Sequence, residues 1–176
     1  MQALTRQLRK QAGVTMLEVM MGLSVASVLT SAAVPAFDHL LRSRHLAPTT
    51  NELVATLNLA RSEAIARGAR VAVAARDANW ANGWRMFADA NDNGLLDDGE
   101  PVIRDFSPAA QGMTITPNFG ITYAGTVLSY NGTGRLARPG SEGLVLGRLT
   151  LTQGGEVRSL CFASLRMRVV KTSACG

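Results

Sequence analysis

The chain has 176 residues, with 18 Lys and Arg against 13 Asp and Glu, two His and two Cys. That length leaves room for one hydrophobic segment and one domain of ordinary size. The two histidines, His39 and His45, do not share a helix face and have no nucleophile or acid patterned around them, which argues against enzymatic chemistry.

The net charge of +5 is unevenly spread: residues 14–103 hold 7 basic and 10 acidic side chains, residues 104–176 hold 8 basic and 3 acidic. The chain opens on a basic stretch, Arg6, Arg9 and Lys10, followed by Gly13 and an apolar run from Val14 to Phe37. About 20 apolar residues suffice for a membrane helix, and the basic flank would keep the N-terminal side in the cytoplasm. The expectation is a membrane span over 14–37. Within it Glu18 is the only ionisable side chain. A lone carboxylate there costs ~2.5–3.5 kcal/mol on insertion scales, so it needs a partner.

Gly13-Val14-Thr15-Met16-Leu17-Glu18 resembles the processing motif of type IV prepilins and type II secretion pseudopilins. The resemblance implies that a prepilin peptidase cuts after Gly13 and methylates the new N-terminus at Val14, where phenylalanine is usual in the family. Pro35 falls where these helices carry a proline. Glu18 is then expected to meet the N-terminal amine of a neighbouring pilin or pseudopilin subunit, since opposite charges attract strongly in low dielectric. The implied organisation is a leader over 1–13, a transmembrane helix over 14–37, its amphipathic continuation over 38–68, and a β-rich domain over 69–176. The implied placement is the bacterial inner membrane, single-pass with the domain in the periplasm, and then the pilus or cell surface.

Leu46, Thr50, Leu53, Leu57, Ala60 and Ala64 step by three or four and form one apolar helical stripe. Pro48 is expected to kink or restart this helix, and Gly68 to cap it. Asn51-Glu52-Leu53 with Leu59-Ala60-Arg61-Ser62-Glu63-Ala64-Ile65 and Arg67-Gly68 resembles the signature of the GspH/FimT subfamily of pilin-like proteins.

From Arg70 the pattern changes to period two. Strands are read at 71–74, 84–87, 102–106, 126–130, 144–146, 149–151, 157–162 and 166–170, punctuated by Gly, Asn and Pro. One helix followed by strands gives an α+β fold, a long N-terminal helix packed on an antiparallel sheet. The Gly-, Thr- and Pro-rich stretch 108–125 reads as a mobile loop. Gly132–Ala137 matches a dinucleotide-binding pattern only superficially and reads as a turn.

Between the second and third strands, Asp89 to Glu100 satisfies the EF-hand loop template. Calcium would be offered Asp89, Asn91, Asn93, the Leu95 carbonyl, Asp97 and Glu100, with Gly94 at the sharp turn. The flanks are strands rather than helices, so a hairpin loop with an Asn-Gly turn is the alternative. A calcium-dependent surface adhesin is the functional class that follows from the first reading.

Arg166 and Arg168, two apart on a strand, share a face, and arginines so placed bind phosphates without reading sequence. Some FimT-type minor pilins bind DNA in natural transformation through a C-terminal Gly-Arg-x-Arg motif, which this chain resembles with Leu165 in place of the glycine. Arg158 and Lys171 join the candidate patch, with Arg148, Arg135 and Arg138 as further members; a solvated arginine-rich face is the alternative. Cys161 and Cys175 lie in the same half and would bridge in an oxidising compartment, pinning the C-terminus. The reading favours a minor pilin of a type IV pilus, with a pseudopilin of type II secretion as the runner-up.

Overall fold

The computed structural model describes residues 13–119, 125–143, 145–163 and 166–175, with backbone alone over 32–45. The basic leader residues and Leu165 lie outside them. The backbone divides into two units, Met1–His39 and Leu40–Gly176, taken one at a time below.

The first unit holds the start of a 52-residue helix, α1, Met16–Arg67. Thr15 caps it: its Oγ1 accepts from the Glu18 N–H at 3.3 Å. Thr15 and Glu18 thus occupy the two positions of a capping box, and the acidic side chain suits the positive helix end.

Among the described residues no helix is long and apolar enough to cross a membrane. This overturns the expected span over 14–37, the transmembrane part of the fold reading, and the single-pass inner-membrane placement. The physical reason lies in composition. Gly22, Ser24, Ser27, Thr30 and Ser31 dilute the run, and Glu18 charges its first turn.

In the second unit, every residue of the apolar stripe is buried: Leu46, Thr50, Leu53, Leu57, Ala60 and Ala64 are at most 2 % exposed. Each fully buried leucine contributes ~1.5–3 kcal/mol relative to an exposed one. The helix continues through Pro48 without the expected restart. It ends in a Schellman motif, with Gly68 N–H donating to Ile65 O, Ala69 N–H to Ala64 O, and Gly68 at φ +60°.

The strands form two antiparallel sheets rather than the one expected. The first runs β3-β2-β1-β5-β6. Its members are β1 (Val71–Ala75), β2 (Trp84–Ala88), β3 (Val102–Asp105), β5 (Val127–Tyr130) and β6 (Leu136–Ala137). The second runs β4-β7-β8-β9, from β4 (Thr114–Asn118), β7 (Leu146–Gln153), β8 (Glu156–Ala163) and β9 (Arg166–Val170). The α1 stripe packs in one core with Val71, Val73, Trp84 and Leu128 of the first sheet and Leu149, Leu160 and Phe162 of the second. Part of the stretch read as a mobile loop is β4. The two strands read on either side of Gly147 are one strand, β7. A Cβ at Gly147 would collide with Asn118 O and the Phe119 ring, so the residue that breaks the sequence pattern is the one that lets β4 close on β7.

Candidate functional site

The first candidate surface is the start of α1. Ten large apolar side chains between Val14 and Leu29 are 49–82 % exposed, and they cover the helix all round. The hydroxyls among them are satisfied within the helix itself. Ser24 Oγ donates to Met20 O, Ser27 Oγ to Ser24 O, Thr30 Oγ1 to Ala26 O and Ser31 Oγ to Val28 O, each at 2.8 Å. Such back-bonded hydroxyls can enter an apolar environment without stranding a donor. Gly13, Val14 and Glu18 are exposed at this end.

The second is the outward face of the four-stranded sheet. Register places Arg148 opposite Cys161, and Cys161 opposite Arg168. Residues paired across antiparallel strands share a face, so Arg148 and Arg168 flank Cys161 in one row, with Arg166 two residues along the edge strand. They line a depression of about 500 Å³. Arg158 pairs with Leu151, one step off that register, and so faces the opposite side, where Leu160 points. Lys171 is exposed just past the end of β9.

The Cys161–Cys175 disulfide is present. It folds the tail back over β8, where Ser159 Oγ donates to Thr172 O at 2.7 Å. A separation of 14 residues makes the bridge worth ~3 kcal/mol in the chain-entropy model. Cys175→Ser is therefore expected to lower the free energy of unfolding by about that amount under oxidising conditions and to change nothing under reducing ones; urea titrations with and without reductant check it.

The loop Asp89–Glu100 is closed by its own hydrogen bonds. The Asp89 carboxylate accepts from Asn93 and Gly94 N–H, and Asp97 Oδ2 accepts from the Asn91 and Asn93 amides. Glu100 accepts from Ala90 and Asp97 N–H. The Leu95 N–H donates to Asn93 Oδ1. Burial pushes the Asp89 carboxyl up from its ordinary range, against the pull of the Gly94 and Asn93 N–H groups. Among the described residues no group of three or more His, Cys, Asp and Glu is placed to hold a metal ion. The loop is tied down by Arg70, whose guanidinium pairs with Asp92 at 2.6 Å and Glu142 at 2.9 Å. Arg70 escaped sequence reasoning because both partners are distant in sequence and its own strand pattern starts one residue later.

Comparison with known proteins closes the family question. A model of the family described as type II transport protein GspH matches residues 49–170.

The chain belongs to the GspH family.

A second model, the prokaryotic N-terminal methylation motif, matches residues 8–34 and takes in Gly13 to Glu18. The GspH-family domain is similar in fold to the type IV minor pilin FimU of Pseudomonas aeruginosa (strain PAO1), with TM-score 0.52, 21 % identity, and coverage of 73 % of this chain and 90 % of that one. It is also similar to the minor pseudopilin EpsH from the type 2 secretion system of Vibrio cholerae, with TM-score 0.50, 13 % identity, and coverage of 74 % and 99 %. No curated protein matches by sequence. The α+β fold is thus one it shares with these two proteins.

Proposed function

We propose that this GspH-family chain is a minor pilin, a structural subunit of a type IV pilus, cut after Gly13 by a prepilin peptidase. The observation that carries the reading is the apolar helix surface between Val14 and Leu29, exposed on every side with its hydroxyls already bonded. A helix apolar all round needs cover, and the equivalent helices of neighbouring subunits supply it. The Glu18 carboxylate and the Val14 amine of a neighbour then set the axial register. A second reading, a pseudopilin acting in protein export, is favoured by the GspH family match. A deletion strain separates them: loss of twitching and transformation with secretion intact supports the pilus, and the reverse supports export.

Within the pilus reading, the Arg148, Arg166 and Arg168 row is the surface for a DNA backbone. Three phosphate contacts give a slope of roughly −2.7 for log affinity against log salt. Arg166→Ala/Arg168→Ala is expected to reduce that slope to about −0.9 and to weaken duplex binding at low salt at least tenfold. Arg158→Gln, on the other face, is expected to leave both unchanged. Filter binding of the full chain across a salt series reads all three.

A further inference from the structure

The second sheet turns one whole face away from the core, and its register fixes which side chains stand there. Asn118 of β4 pairs with Arg148 of β7, which pairs with Cys161 of β8, which pairs with Arg168 of β9. Residues so paired share a face, so Asn118 extends the arginine row to the far edge of the sheet. The neighbouring rows hold hydroxyls: Thr116, Thr150 and Ser159 in one, Thr114 and Thr152 in the next. We propose that duplex DNA lies across the strands of this face, with Asn118 and Thr116 as uncharged phosphate contacts at its β4 end. The inference rests on the DNA reading of Arg148, Arg166 and Arg168, and adds the direction of the duplex and the residues at its far end.

Among the described residues no acidic side chain stands on this face. The four strands contain one, Glu156, which pairs with the buried Gln153 and shares the inward parity of Arg158 and Leu160. A phosphate backbone laid across the sheet therefore meets cations, hydroxyls and an amide. Alternation along β4 settles where Asn118 points: Ile115 is buried in the core, while Thr114, Thr116 and Asn118, of the opposite parity, are exposed. Gly147 lets the end of β4 close on β7, and so brings Asn118 beside Arg148. Amides and hydroxyls bond phosphate oxygens and fix the register of a duplex without reading its sequence. From Arg168 to Asn118 the row crosses three strand spacings, about 14 Å, which spans about four phosphates of one DNA strand.

The test is fluorescence anisotropy of a short labelled duplex titrated with the full chain across a salt series. Asn118→Arg adds a cationic contact to the row. It is expected to steepen the slope of log affinity against log salt from roughly −2.7 to roughly −3.6, and to tighten binding at low salt about tenfold. Asn118→Ala removes an uncharged contact, and is expected to weaken binding about threefold at every salt concentration with the slope unchanged. Asn51→Arg adds the same charge at an exposed position of α1 and is expected to leave the slope as it is. Should Asn118→Arg not fold, Thr116→Arg in the neighbouring row is expected to steepen the slope by the same amount. Wild-type affinity and slope in both Asn118 variants, with binding still weakened in Arg166→Ala/Arg168→Ala, overturn the inference and leave the DNA reading standing. An Asn51→Arg slope as steep as that of Asn118→Arg overturns it too, because net charge alone then accounts for the gain. A wild-type chain that binds no duplex at low salt overturns both.

Discussion

Glu18→Gln is expected to abolish filament incorporation while leaving the folded chain intact. Glutamine satisfies the capping-box position as well as glutamate does, so the N–H of residue 18 stays bonded to Thr15 Oγ1. The local cost is the lost charge–dipole term, ~0.3–1 kcal/mol at an exposed helix end. Assembly is another matter. In a packed bundle of apolar helices the Val14 amine of the neighbour is left without its counter-charge, and removing one partner of a buried pair costs ~3–5 kcal/mol. That converts to a loss of about 100-fold or more in incorporation. Immunoblots of sheared filaments against whole cells measure it. Wild-type incorporation of the glutamine variant would refute the electrostatic register. Glu18→Ala, which loses cap and charge together, should assemble no worse than glutamine, because the pairing term exceeds the capping term several-fold.

Trp84→Ala carries the largest expected loss of stability. Trp84 is fully buried and ties three elements together. Its Nε1 donates to Thr56 Oγ1 of α1 at 3.2 Å, its ring stacks on Phe106 at 5.5 Å between centroids, and Trp80 tilts against it at 6.4 Å. Truncating a buried tryptophan to alanine costs ~3–5 kcal/mol, a large part of the 5–15 kcal/mol of a typical domain. Tm should fall by about 10 °C or more. Trp84→Phe keeps most of the packing. It strands no donor, since Thr56 Oγ1 still donates to Glu52 O; its expected cost is ~1–2 kcal/mol. Trp80 remains as a fluorescent reporter in both variants, so urea titrations can compare them directly. A Trp84→Ala midpoint equal to wild type would mean that α1 does not depend on this contact.

The sequence revealed the second unit best where one face decides everything. The stripe from Leu46 to Ala64 and the Gly68 cap were legible because a helix that packs on sheets repeats its apolar positions at a fixed step. The disulfide followed from two cysteines in the same half of the chain. Elsewhere the local signal misled. Thr114–Asn118 contains Pro117 and reads as loop, yet β4 is an edge strand, where a missing N–H on the open side strands nothing. Gly147 reads as a break and is a point of close approach. Pro48 reads as a kink, but it lies exposed in a helix whose neighbours Leu46 and Thr50 are anchored in the core. The apolar run before Phe37 reads as a membrane span when its serines and threonines are passed over. Among the site residues, Arg166 and Arg168 sit together as period two requires. Arg158 sits apart because parity must be counted through the β8–β9 register, which no local pattern displays. Arg148 belongs with them for the same reason.

The bridge between Cys161 and Cys175 has a practical corollary. Any polypeptide continuing past Cys175 departs from inside the arginine-lined depression. An acidic affinity handle fused at that end would sit on the guanidinium groups and screen them from the outset. Assays of ligand capture by this protein should therefore carry their label elsewhere, on an exposed turn such as Gly154–Gly155.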